Sequence, residues 1–317
     1  MALLAVIGVT AAVTISVTSD SEEDRDPAPS GETYGLASAD DTGPVNIITD
    51  DASCAAWGPI NDTFADITKK VWNKRDPSVP ATRWTPEQRA VYEDVGSAAS
   101  DAADRTVPLA KLTPHRAMRE MYEQFIAYAR AYSELIPDYV PRDDHVSGAM
   151  ITLAGALTYV CSALEWRSAQ ARAPLITAPE PPKALPPLTD PSDPRRFLLE
   201  ADATCPTWGR LLDDFDADTK QWQALDSNLP AGQWTAEQRA IVDAVVPVME
   251  KLADDIEATG LRSSNPHIRD FAALAAQYRR AYAAALPTYT PADSYLATAS
   301  LRITSTLYEA CAAVGDE

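Results

Sequence analysis

Much of what this chain implies comes from what it lacks. Its 317 residues contain no G-x-S-x-G turn, no H-E-x-x-H motif and no Walker-type loop. Those are the short arrangements that position a serine nucleophile, a zinc ion or a phosphate. Histidine occurs only three times, and the four cysteines stand at 54, 161, 205 and 311. Such spacings offer no close ligand pair for a metal. Positive charge is scarce: 27 Lys and Arg stand against 46 Asp and Glu, a net charge of −19. Nucleic-acid binding needs a basic surface that displaces counterions from phosphates, so it is not expected. Docking of the folded part on anionic lipid is disfavoured for the same reason. No stretch alternates β-branched and polar residues as a half-buried strand does. These absences leave no expected cofactor, metal or catalytic residue.

Long apolar runs are also rare, and the first is at the very beginning. Ala2–Thr18 carries no charge over 17 residues, close to the lower length for spanning a bilayer. No basic n-region precedes it and no clear Ala-x-Ala follows, so an uncleaved single-span anchor is favoured over a cleaved secretory signal. Residues 19–49 are polar and acidic and read as a disordered stalk.

The strongest signal is an internal repeat. RWTPEQRA at 83–90 returns as QWTAEQRA at 233–240. Around it, Cys54, Trp57 and Phe64 match Cys205, Trp208 and Phe215; Tyr128, Tyr132, Tyr139 and Cys161 match Tyr278, Tyr282, Tyr289 and Cys311. Each copy, 50–168 and 199–317, reads as four helices, giving an all-α chain of two tandem four-helix bundles. The repeated octamer starts the second helix of each copy. Thr85 or Thr235 is the N-cap, Gln88 or Gln238 completes a capping box, and the tryptophan before the cap packs back as a staple. The third helix begins at Thr113-Pro114 and Asn265-Pro266, which aligns His115 with His267. Residues 169–198 hold eight prolines within Ala171–Pro194 and read as an extended, semi-rigid linker.

In each copy one cysteine starts the first helix and the other lies near the end of the fourth, which an up-down-up-down bundle brings to one pole. Four cysteines allow three pairings, and Cys54–Cys161 with Cys205–Cys311 is the pairing that respects the duplication. The alternative is four reduced core thiols. Disulfides imply an oxidising compartment.

Other candidate sites are weaker. Asp214, Asp216 and Asp218 open like a calcium loop, but position six is Thr219 and position twelve is Leu225, where glycine and glutamate are required. The paired histidines lack a nucleophile or an orienting partner in the sequence. Tyr132 and Tyr282 lie on an aromatic stripe at helical spacing, more often core than ligand box. Tyr139 and Tyr289 sit in the turns PDYVP and PTYTP, where a half-exposed ring could line a contact surface. These four tyrosines are the candidate ligand or partner surface.

With its Ala- and Asp-rich composition, single apolar span, proline-rich spacer and C-x-x-W-to-Cys unit, the chain resembles actinobacterial envelope proteins of the mycobacterial kind. That resemblance carries no catalytic residues. The expected function is a non-enzymatic ectodomain at the cell membrane, its bulk extracytoplasmic, engaging an envelope protein or an apolar ligand. A secreted form after signal cleavage, an extracytoplasmic sensor domain and a hydrolase using the paired histidines are the alternatives.

Overall fold

The computed structural model describes residues 32–70 and 72–315. The expected anchor at 2–18, and the stalk as far as residue 31, lie outside the described residues. The chain runs through α1 (Cys54–Lys70), α2 (Pro86–Leu112), α3 (Arg116–Leu135), α4 (Asp144–Glu165) and the short α5 (Ser168–Arg172). It continues through α6 (Cys205–Asp218), the short α7 (Lys220–Gln223), α8 (Ala236–Arg262), α9 (Pro266–Ala285) and α10 (Ser294–Val314). No strand occurs among the described residues.

Local chemistry explains the helix boundaries. Thr85 accepts from the Gln88 amide at 3.2 Å while Gln88 Oε1 accepts from the Thr85 amide at 2.9 Å. Thr235 and Gln238 repeat this at 3.1 and 2.9 Å. Two orphan amides are thereby satisfied at each helix start. Thr85→Ala or Thr235→Ala should each cost about 1 kcal/mol in urea unfolding; no measurable cost at either position would show that tertiary packing alone fixes these helix starts. Before α1, Asp51 Oδ1 accepts from the Ser53 amide at 2.8 Å, and Thr113 Oγ1, just after α2, donates to Asp51 Oδ2 at 2.5 Å. Asp202, Thr204 and Ser263 do the same before α6, at 2.8 and 2.8 Å. One carboxylate thus ties the start of one helix to the end of the next.

Cys54 is bonded to Cys161 and Cys205 to Cys311. Each bridge joins the first residue of α1 or α6 to the last turns of α4 or α10. Trp57 and Trp208, one turn into those helices, are 1% and 0% exposed.

α4 and α10 lie antiparallel. Thr306 Oγ1 donates to Thr152 Oγ1 at 3.0 Å, Gly148 faces Glu309 and Gly155 faces Arg302. A Cβ at Gly148 would meet the Glu309 carboxylate, the far end of a flexible side chain, so a larger residue there would push that side chain aside. α4 with its preceding turn, Pro141–Glu165, is also long and apolar enough to cross a membrane by length and composition. Here most of its apolar residues from Val146 to Leu164 are buried in the core, with Ile151 and Tyr159 partly exposed. That core runs without a break through both halves, and residues from 33 onward form one compact unit.

Two stretches, one expected to be a disordered stalk and the other a semi-rigid spacer, are packed against the helices. Within 33–49, Leu36, Val45, Ile47 and Ile48 are buried, because the PVNII run at 44–48 supplies apolar side chains that the acidic average composition conceals. The linker 169–198 is equally engaged. Arg172 forms two 2.9 Å bonds to Asp293, Gln277 Nε2 donates to the Thr177 carbonyl at 3.1 Å, and Phe197 and Leu198 are buried. Its first residues are helical, in α5 and a 3-10 turn at Ala173–Leu175, and the remainder lies along the helices as a strap.

Candidate functional site: a charged seam beneath two straps

α3 is unusual for a charged helix. Arg116, Arg119, Glu120, Glu123 and Gln124 are all buried. α2 and α4 cover one side of this helix, and α9 with the two straps covers the other. Arg116 organises the contact. Its Nε donates to Asp270 Oδ2 on α9 at 2.7 Å, while Nη1 and Nη2 donate to the carbonyls of Asp41 and Gly43 at 2.6 and 3.0 Å. One guanidinium therefore holds the first strap and α9 together. Gln124 does the same for the second strap, donating to the Arg195 carbonyl at 3.1 Å and accepting from the Phe197 amide at 2.9 Å. The Phe197 ring lies 5.9 Å from Tyr128, 6.2 Å from His267 and 5.6 Å from Phe271.

The rest of the seam is less well satisfied. Arg119 approaches Glu120 at 3.7 Å and Glu123 at 3.8 Å, beyond hydrogen-bond distance, and both Glu120 oxygens lack a hydrogen bond. Burial, reinforced by Asp270, pushes the Glu120 carboxyl well above its usual range. Burial raises Glu123 to about 7, partly opposed by Arg119. Burial, with a smaller contribution from the Arg119 charge, lowers His267 to about 4.

These shifts oppose each other. The raised Glu123 favours the folded state below its unfolded value and loses that contribution as pH climbs from about 4.5 to 7. The lowered His267 does the reverse: the unfolded imidazole binds protons first, so stability falls as pH drops from about 6.5 to 4. His267→Gln removes the second effect. Relative to the parent, it should gain about 2 kcal/mol between pH 7 and pH 5, read from urea unfolding at both pH values. An unchanged difference would mean that His267 titrates normally in the fold.

The two histidines do not occupy matching places. α3 has His115 as its N-cap, whereas α9 has Asn265 in that role and His267 one turn position inside. His115 Nε2 lies 2.7 Å from the Asp50 carbonyl. The paired-histidine hydrolase therefore has no geometric basis: the two rings differ in position, burial and partners.

The tyrosines are likewise not a surface. Tyr132, Tyr139, Tyr282 and Tyr289 are 0%, 1%, 4% and 4% exposed. Tyr139 OH donates to the Pro77 carbonyl at 2.9 Å, and its own carbonyl accepts from the Ala81 amide at 2.9 Å. Tyr289 repeats this with Ser227 and Ala231 at 2.6 and 2.9 Å. Trp84 and Trp234 cover these rings at 5.3 and 5.7 Å. The Pro-x-Tyr-x-Pro turns thus pin the loop between the first two helices of each half. Tyr132 accepts from Trp72 Nε1 at 3.2 Å, and Tyr282 lies 5.9 Å from the Trp222 ring. The rigid prolines position a core ring, which the turn sequence alone does not distinguish from an exposed one.

At Asp270, itself buried, the seam borders an open cavity. This cavity of about 390 Å³ lies between the second strap and α8–α9, walled by Val45, Pro179, Pro182, Leu261 and Ala273. Its accessible lining is chiefly apolar, with Glu180, Lys183, Glu257 and Arg269 also on its wall. No group of His, Cys, Asp and Glu able to hold a metal occurs among the described residues.

Residues 36–315 match the family described as Mycobacterial ESX-1 associated protein. An uncharacterized protein of Mycolicibacterium smegmatis (strain MKD8) is 47% identical over 321 residues, covering 100% of this chain and 85% of the relative. No solved structure matches.

Proposed function

The chain belongs to the mycobacterial ESX-1 associated protein family, and on that premise we propose that it is a non-enzymatic binding or scaffolding protein acting outside the cytoplasm beside the ESX-1 secretion system. The observation that carries this reading is the pair of bridges, Cys54–Cys161 and Cys205–Cys311, which leave no free cysteine among the described residues. Disulfides of this kind persist in oxidising compartments. The apolar segment 2–18 provides the means of reaching that compartment, as a single-span membrane anchor or a signal.

In this reading the chain is a duplicated helical unit whose halves have fused along α4 and α10. The equivalent clamps by Asp51 and Asp202, and by Tyr139 and Tyr289, support common descent of the halves. Binding falls to the strap-lined groove at Asp270, where a partner segment or an apolar ligand meets proline and leucine side chains. The burial of the four tyrosines and the unmatched places of the two histidines favour binding over turnover.

The test has two parts. A C-terminal alkaline phosphatase fusion, active only after export, should be active in a mycobacterial host, and an inactive fusion would overturn the placement. Crosslinking in intact cells should join the protein to a component of the ESX-1 apparatus. Crosslinks confined to unrelated envelope proteins, with ESX-1 export unchanged on deletion, would overturn the association.

A further inference from the structure

One cation in the second half has no counterpart in the first and no acid to balance it. Arg279, on α9, is 2% exposed; the aligned residue on α3 is Ala129, fully buried among apolar side chains. The guanidinium is poorly satisfied. Nη1 reaches only Met249 Sδ at 3.5 Å, Nη2 reaches the Ala297 carbonyl at 3.3 Å, and Nε has no partner. No carboxylate among the described residues comes within ion-pair distance of it. The Phe215 ring stacks 4.9 Å from the guanidinium carbon. Burial lowers its basicity, to a pKa of about 10, so it remains cationic at neutral pH.

This cation forms part of the wall of a cavity. Between α6, α7, α9 and α10 a recess of about 450 Å³ is lined by Arg279 together with Phe215, Trp222, Ala297 and Leu301. A fixed guanidinium with an unused donor, in an aromatic and aliphatic recess, matches one chemistry: a carboxylate on an apolar body. Asp213 and Asp216 are exposed and also line the recess. Their charge opposes every anion, and a multiply charged one such as phosphate more strongly than a monocarboxylate.

We propose that this recess is a binding site for an aliphatic monocarboxylate, with Arg279 holding the carboxylate and Phe215, Trp222 and Leu301 enclosing the chain. The proposal is independent of the secretion-related reading, because it concerns a different face and a different ligand class from the groove at Asp270.

Octanoate is a suitable probe, with octanol and octylamine as controls, in titration calorimetry on the disulfide-bonded protein. Octanoate should bind at least tenfold more tightly than either control. Arg279→Met should abolish that preference and raise Tm by about 2 °C or more, because an apolar side chain of similar length removes an unbalanced buried charge. A purely structural arginine predicts the opposite shift in Tm. Leu301→Glu, at an exposed position on the recess, should weaken octanoate at least tenfold with Tm unchanged. If Arg279→Met fails to fold, the arginine is structural and the proposal falls. It falls equally if octanoate binds no better than octanol, or if Leu301→Glu leaves octanoate binding intact.

Discussion

Reduction of the two disulfides should lower Tm by roughly 10 °C for each bridge lost. The bridges span 107 and 106 residues. In the chain-entropy account, closing a loop of that length restricts the unfolded ensemble by up to about 4–5 kcal/mol. The comparison is Cys54→Ser/Cys161→Ser against Cys205→Ser/Cys311→Ser, each followed by scanning calorimetry. Similar losses are expected for the two pairs, since the loops are nearly equal. A chain that melts at the same temperature with and without reductant would show that the cross-links contribute nothing, and would remove the physical basis for placing it in an oxidising compartment.

Arg116→Ala should cost about 3–5 kcal/mol, the penalty for leaving buried acids without their cation. Asp270, 2% exposed, has its 2.7 Å bond to Arg116, and Glu120 lies 3.8 Å away from the same nitrogen. The loss should appear in urea unfolding, together with faster hydrogen exchange through residues 41–48, because the first strap is bonded to the same guanidinium. Asp270→Asn in the Arg116→Ala background should recover part of the stability by removing the stranded charge. A cost below about 1 kcal/mol for Arg116→Ala would mean that the seam is hydrated like a surface pair, and its role in joining α3 to α9 would be lost.

The sequence was most informative where chemistry is local. Capping boxes at Thr85 and Thr235 depend on a few neighbouring residues and stand as read; the pairing of cysteines, across 107 and 106 residues, was legible only because the two pairs recur at matching places. Long-range burial was not legible. Arg116, Arg119, Glu120 and Glu123 look like the solvated face of an amphipathic helix, because nothing within α3 announces that α9 will cover that face. The straps escaped notice for a related reason: Val45, Ile47, Ile48 and Phe197 are few among many polar neighbours. Histidine alignment failed through a two-residue slip. Both copies contain Pro-His near the start of the third helix, but α3 starts at Arg116 and α9 at Pro266, so the Pro-His pair precedes one helix and belongs to the other. The tyrosine turns were misjudged because proline rigidity fixes where a ring points without saying what it meets. For the candidate site, the Asp270 groove needs three distant segments, and Arg279 becomes conspicuous only beside Ala129 at its aligned position.

The crossing of the straps has a consequence for how the protein comes apart. The segment leading into α1 is fastened at Arg116 and walls the groove on α9, while the segment leading into α6 is fastened to Gln124 on α3. Neither half can shed its cover without uncovering the other. Melting should therefore be one all-or-none event, with calorimetric and van't Hoff enthalpies in agreement.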